Sequence, residues 1–392
     1  MSTRERPLLC LVLAALAFGL PCQAAAKTVR FATFNVSMGL AQEGELARRL
    51  ASGDDPALRK LAEILQRVRP DVLLLNEFDY QAGVDRAGLL NRNYLSQPQR
   101  GHEPIEYPYS FSAPVNTGVD SGLDLDQNGR TGDPGDAWGF GHFPGQYGML
   151  VLSRYPIELD QVRTFQHFLW QDMPDAMRPL DEDGELFYPE QTWLQLRLSS
   201  KSHWDLPICV DDMSCIHLLA SHPTPPVFDG PEDRNGRRNH DEIRFWADYV
   251  APDKGDYIYD DAGKKGGLER GETWLLAGDM NNDPLDGDGL SGAIDRFTEN
   301  PYINDSCVPA SRGGVEAAKR EGGRNRHQHG DPANDTSDFE DEHTGNLRLD
   351  YLLTTKRVEV TACGVFWPAS DEDGHDLVDF SDHRLVWKDL DL

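Results

Sequence analysis

The stretch LLAGDMNNDPLDGDG, residues 275–289, runs apolar as far as Ala277 and then presents Asp279 and Asn281 at the end of that segment. A carboxylate fixed there by a rigid buried strand is placed with the precision that metal-assisted catalysis needs. A lone carboxylate at a strand end is more often an ordinary solvated turn residue. Here the arrangement recurs along the chain: Asn35 in VRFATFNV, Glu77 in DVLLLNEFD, His222 after CIHLLAS, Asp350 in LRLDYLLTT, and Asp382 with His383 in SDHRLV. Carboxylates, amides and two imidazoles in that order have the makings of one metal-assisted catalytic pocket, provided the fold gathers them.

The positioning elements follow from hydrophobic periodicity. Strands are predicted at 29–36, 71–79, 148–157, 192–198, 215–222, 347–355 and 383–390, besides the 274–279 run. A helix is predicted between Asp55, suited to capping, and Pro70, with Leu58, Leu61, Leu65 and Val68 on one face. A second runs from about Asp241 to Val250, where Ile243, Trp246 and Val250 share a face. Many strands in succession with few helices point to an α/β fold of two packed sheets with helices outside, rather than a doubly wound parallel sheet. Long Gly-, Pro- and Asp-rich insertions are predicted near 80–146, 165–190, 228–240, 253–271 and 309–345, within a single domain spanning 27–392.

The blocks FNV (34–36), LNEF (75–78), YGMLVLSRYPI (147–157), ASHP (220–223), AGDMN (277–281), RLDYLL (348–353) and SDHRLV (381–386) together resemble the endonuclease/exonuclease/phosphatase superfamily, which includes DNase I-like nucleases, and they occur in that family's order. The resemblance implies a four-layer α/β/β/α sandwich and a phosphoester hydrolase: a phosphodiesterase, nuclease or phosphatase working by in-line attack of an activated water. It implies a metal site of Asn35, Glu77 and Asp382 for Mg²⁺ or Mn²⁺, and a catalytic group of His222, Asp279, Asn281, Asp350 and His383. Asp279 would activate water, Asn281 would bind a phosphoryl oxygen, and Asp350 would fix the tautomer of His383. Two positions depart from the pattern. Ser37 stands where abasic-site enzymes carry a carboxylate, and Asp79 stands where deoxyribonucleases carry a phosphate-facing arginine.

Further signals set the context. Residues 1–26 read as a secretory signal peptide, with Arg4 and Arg6 before an apolar run and Ala24–Ala26 as the cleavage pattern, which predicts a secreted or periplasmic protein. No later apolar run approaches the ~20 residues of a membrane helix. The four remaining cysteines, Cys209, Cys215, Cys307 and Cys363, suggest two disulfides with three possible connectivities. The formal charge of −28 becomes one unit more negative without residues 1–26 and disfavours tight binding to a duplex polyanion. DLDQNGRTGDPGD (124–136) opens like a calcium loop, making Asp124, Asp126, Asn128, Asp133 and Asp136 candidates for structural Ca²⁺, although Gly135 occupies the place of the closing glutamate. DPLDGDG, with Asp283, Asp286 and Asp288, is a similar case. Arg234, Arg237 and Arg238 are candidates to hold substrate phosphate or, equally, members of a surface ion network. No protein partner is evident. Two other readings stay open: a non-catalytic, calcium-stabilised binding module on the same fold, and a sphingomyelinase-type phospholipase, for which WGFGHFPG (138–145) is the only candidate apolar hairpin.

Overall fold

Alternation along the first strand sets the layering. In Val29–Phe34, residues 29 and 31 turn to one face, towards a second sheet, while residues 32 and 34 turn to the other, towards helices. The computed structural model describes residues 27–211, 214–304 and 306–392; the predicted signal peptide at 1–26 lies outside them. The strands in chain order are β1 Thr28–Met38, β2 Val72–Phe78, β3 Tyr109–Phe111, β4 Met149–Ser153, β5 Arg163–Thr164, β6 Trp204–Cys209 and β7 Cys215–Ser221. They continue with β8 Trp274–Asp279, β9 Ile303–Asn304, β10 Ser337–Asp338, β11 Asn346–Leu347, β12 Asp350–Thr355, β13 Glu359–Phe366 and β14 Leu385–Asp391.

One six-stranded sheet has the order β13-β14-β1-β2-β4-β3 and the other β5-β6-β7-β8-β12-β9, with β10 and β11 forming a small pair of their own. Their inner faces interdigitate through Phe31, Val72, Leu74, Val151, Leu206, Leu218, Leu275 and Leu352. On the first sheet's outer face lie helices Glu45–Ser52 and Pro56–Val68, and on the second's lies the long helix Arg234–Val250. This is the expected four-layer α/β/β/α sandwich.

Local chemistry explains both the agreements and the departures. Asp55 caps the second helix by accepting from Ala57 N and Leu58 N, both at 3.0 Å, and Pro56 starts it. The helix predicted from about Asp241 begins earlier, at Arg234, so the 228–240 insertion is half helical. The strand predicted at 192–198 is absent: Pro189 accepts from Thr192 N and Trp193 N, giving a helical turn, and Trp193, Leu196 and Leu198 join an outer aromatic cluster. That cluster also takes Phe165, Phe168 and Trp170, so the 165–190 insertion packs against helix Arg234–Val250 as part of the outer layer. Strand β6 lies outside the predicted strands and contains Pro207; β5 pairs only with Trp204 and Asp205, and the irregular stretch 156–158 flanks the proline instead. Disulfides join Cys209 to Cys215, paired across the β6–β7 hairpin, and Cys307 to Cys363.

Candidate active site

Parallel and antiparallel pairing brings the polar strand ends to one rim. Strands β1 and β2 run parallel, as do β7 and β8, so the ends carrying Asn35, Glu77, Ser221–His222 and Asp279 point the same way. Strands β12 and β14 run antiparallel to β8 and β1, so they contribute their beginnings: Asp350 pairs with Asp279, and His383 precedes Leu385. Gly278 makes the approach of β7 and β8 possible. At φ +145° a Cβ there would stand 2.0 Å from Ser221 O.

The eight residues expected to carry metal binding and catalysis form one connected network. Asn35 Nδ2 donates to Glu77 Oε1 at 3.1 Å and to Asp279 Oδ2 at 3.0 Å. Asp279 Oδ2 is also 3.4 Å from His222 Nε2 and 3.7 Å from His383 Nε2. His383 Nδ1 lies 2.8 Å from Asp350 Oδ2, which accepts from Thr336 Oγ1 at 2.8 Å. Asn281 N donates to Asp279 Oδ1 at 2.9 Å, and Asn281 Nδ2 to Pro223 O at 3.2 Å. Ser37 Oγ donates to Asp382 Oδ1 at 2.5 Å. Three of the positions framing this network, Ser37, Glu77 and Asn281, have φ of 48°, 54° and 50°. Left-handed backbone in such residues costs about 1–3 kcal/mol each and concentrates at functional sites.

Supporting residues escaped the sequence reading. Asn76, completely buried, accepts from Asp279 N at 3.2 Å and donates to Ser221 O at 3.1 Å, tying the two sheets together behind the carboxylate. Ser381 Oγ donates to Asn35 O at 2.8 Å and accepts from His383 N at 3.1 Å. A polar residue inside the apolar run LLLNEF is the available signal for Asn76, and the SDHRLV block includes Ser381; nothing local marks Thr336.

The electrostatics separate the roles. Burial alone would raise the carboxyl of Asp279, but His383 and His222 beside it hold it well below the usual carboxylate range. Burial would lower His383, yet Asp350 and Asp279 push it well up, making the ring a double donor. His222 is pushed down, first by burial and then by the charge of Lys201. Asp279 is thus held towards its ionised form, His222 towards its neutral form and His383 towards its protonated form, while burial raises the carboxyl of Asp350 to about 6 against the pull of His383. Two buried atoms of the network, His222 Nδ1 and Asp350 Oδ1, have no hydrogen-bond partner among the described residues.

The donor set suits a hard divalent ion. Among the described residues, Glu77 Oε2 and Asp382 Oδ2 accept no hydrogen bond, and both carboxylates flank the Asn35–Ser37 stretch. Ligand atoms of Asp279, Asp350 and His383 also lie within 4.8 Å of one another. The residues that could hold a cation are therefore Glu77 and Asp382 on one side of Asn35, and Asp279, Asp350 and His383 on the other.

Other expected residues lie elsewhere. Asp124, Asp126 and Asp136 have ligand atoms within 4.8 Å of one another, Asp124 Oδ1 is buried without a partner, and Asn128 Nδ2 bridges Asp126 and Asp133 at 2.9 and 2.7 Å. Asp283 and Asp286 instead spend their oxygens on backbone N–H groups, Asp283 on those of Leu285 and Arg348, Asp286 on that of Gly330. The arginines are not gathered with the network. Arg238 is occupied by the carbonyls of Trp138, Arg197 and Leu198, Arg237 by those of Arg178 and Glu232, and Arg234 pairs with Glu232. Asp79 is also accounted for: its two oxygens accept from Leu40 N and Tyr147 N at 2.9 Å, tying two loops beside Glu77.

A model of the Endonuclease/Exonuclease/phosphatase family matches residues 32–383. The chain belongs to that family. Members of this family are mostly metal-dependent hydrolases of phosphoesters. Among solved structures, the endonuclease/exonuclease/phosphatase from Beutenbergia cavernae DSM 12333 is similar with TM-score 0.50 and 17% identity, covering 93% of this chain and 72% of that one. A family protein from Leptotrichia buccalis C-1013-b gives 0.48 and 14% over 93% and 100%, and a beta toxin from Staphylococcus aureus 0.45 and 16% over 92% and 99%. At such identities the likeness concerns the fold. No curated protein matches the chain.

Proposed function

We propose that this family member is an exported, divalent-metal-dependent phosphoester hydrolase acting by in-line attack of water. The observation that carries the reading is the buried Asp279 carboxyl held at once by Asn35, His222, Asn281 N and the His383–Asp350 pair. Glu77 and Asp382, with Asn35, would hold Mg²⁺ or Mn²⁺, which supplies charge withdrawal from the phosphoryl group and the leaving oxygen. Asp279 orients the attacking water and accepts its proton. His383, a donor from Nε2 as well as Nδ1, stabilises the charge that accumulates on the phosphoryl oxygens, and Asp350 holds its ring in place. Neutral His222 hydrogen-bonds the phosphoryl group or the leaving oxygen. Export is supported by the character of residues 1–26 and by the two disulfides, and N-terminal sequencing of the secreted protein is expected to start near Lys27.

The test is a panel of plasmid DNA, bis-p-nitrophenyl phosphate, p-nitrophenyl phosphate and sphingomyelin vesicles, each with EDTA and with Mg²⁺. Turnover of at least one ester with Mg²⁺ and none with EDTA is expected. No turnover of any ester would leave the binding-module reading in its place.

A further inference from the structure

Ser199–His203, SSKSH, is a run of five polar residues that are all buried, with no apolar side chain to account for it. Its backbone is fixed on several sides. Asn116 N donates to Lys201 O and Asn116 Nδ2 to Ser199 O, both at 2.8 Å; Ser200 N donates to Glu242 Oε1 at 2.7 Å; His203 Nε2 lies 2.9 Å from Glu242 O. Gly139 packs so closely that a Cβ there would stand 1.9 Å from Ser200 O. The loop is a rigid mount, and the one cation on it is Lys201.

Lys201 is 5% exposed, yet its ammonium makes a single hydrogen bond, 3.5 Å to Pro223 O. Among the described residues it makes no ion pair with a carboxylate, and burial pushes its pKa down, helped by Arg238 and opposed by Glu242, Glu77 and Asp279. An ammonium has three N–H donors, and taking it out of water without partners costs several kcal/mol. Glu242, whose field acts on it most strongly after the effect of burial, is already committed to Ser200 N and to Thr224 N at 2.6 Å. The carboxylates that come next are Glu77 and Asp279 of the candidate active site. Pro223 O, the acceptor of Lys201, also accepts from Asn281 Nδ2, and Pro223 follows His222 directly. The ammonium thus stands one carbonyl away from the amide expected to meet a phosphoryl oxygen, with its other donors uncommitted.

An anionic ester entering a centre that contains Glu77, Asp279, Asp350 and Asp382 needs a positive group to meet it. The three arginines that could have served are bound elsewhere, and position 79 carries a carboxylate. We propose that Lys201 is a substrate-binding residue of the phosphoryl site, its free ammonium donors taking an oxygen of the bound phosphate group beside Asn281. This rests on the phosphoester reading above. A lysine acts there as a point charge and does not require bidentate geometry.

The test uses the full mature chain with Mg²⁺ and inorganic phosphate as the probe. Phosphate should raise the melting temperature of the wild type, and Lys201→Met should weaken phosphate binding about tenfold or more, at an unchanged or higher melting temperature without ligand, because an unpaired buried charge has been replaced by an apolar chain of similar length. For bis-p-nitrophenyl phosphate, kcat/KM should fall about 100-fold. Should Lys201→Met fail to fold, Lys201→Gln is read in the same way. Phosphate binding within twofold of wild type in a folded variant would overturn the role of Lys201 and leave the hydrolase reading intact. A wild type that neither responds to phosphate nor turns over any ester would overturn both.

Discussion

At the scale of single residues, the site is a set of shared acceptors. Asp279 receives donors from Asn35, Asn281 and the two histidines, and Asp350 receives both His383 and Thr336. Groups that act through one another should lose activity together. Asp350→Asn is expected to lower kcat by roughly 10²–10⁴-fold, and His383→Ala by at least as much. The double variant should be no worse than His383→Ala alone, whereas multiplied losses would show that Asp350 acts independently of the ring. These residues are readable in the sequence because each stands at one end of an apolar strand, and their order matches a family pattern. Lys201 and Thr336 are not readable, since nothing in SSKSH or DTS foretells burial beside Pro223 and Asp350, and SDHRLV does not foretell that Ser381 meets the carbonyl of Asn35.

At the scale of elements, strand direction turns scattered residues into a cluster. Parallel β1–β2 and β7–β8 contribute ends, and antiparallel β12 and β14 contribute beginnings. The contact between β7 and β8 depends on Gly278, where a side chain would meet Ser221 O and the backbone adopts φ +145°. Gly278→Ala should therefore destabilise the protein by roughly 2–4 kcal/mol and reduce activity by displacing Asp279. A variant that melts with the wild type would show that the strands can separate locally at no cost. Strands with clean alternation or unbroken apolar runs were legible in advance. Strand β6, which contains Pro207, was not among them, and the helical turn at Glu190–Trp193 was mistaken for a strand because its apolar residues serve an outer aromatic cluster.

At the scale of the whole molecule, excess negative charge is managed by burying acids on backbone donors and by raising buried carboxyls towards their protonated form, Asp79 and Asp335 both to about 7. Asp335 is buried without a hydrogen bond and is pushed up to about 7, first by burial and then by Asp283, Asp286 and Asp331. Unfolded, it titrates near the ordinary value of 3.8. Between those values the folded chain holds a proton that the unfolded chain has released, so this group's contribution to stability falls as pH rises through the window and stays at its lowest above about 7. Asp335→Asn should melt about 2–5 °C above the wild type at pH 8, with the difference vanishing below pH about 4. A difference that is constant with pH would show that the carboxyl is not strained in this way.

The central claim is that these scattered side chains form one hydrolytic centre. The most direct measurement is the rate of bis-p-nitrophenyl phosphate hydrolysis with saturating Mg²⁺, after EDTA treatment, for the wild type and a folded Asp279→Ala variant. The account predicts metal-restored turnover in the wild type and a loss of at least about 10³-fold in the variant. Equal turnover in the two proteins would contradict it.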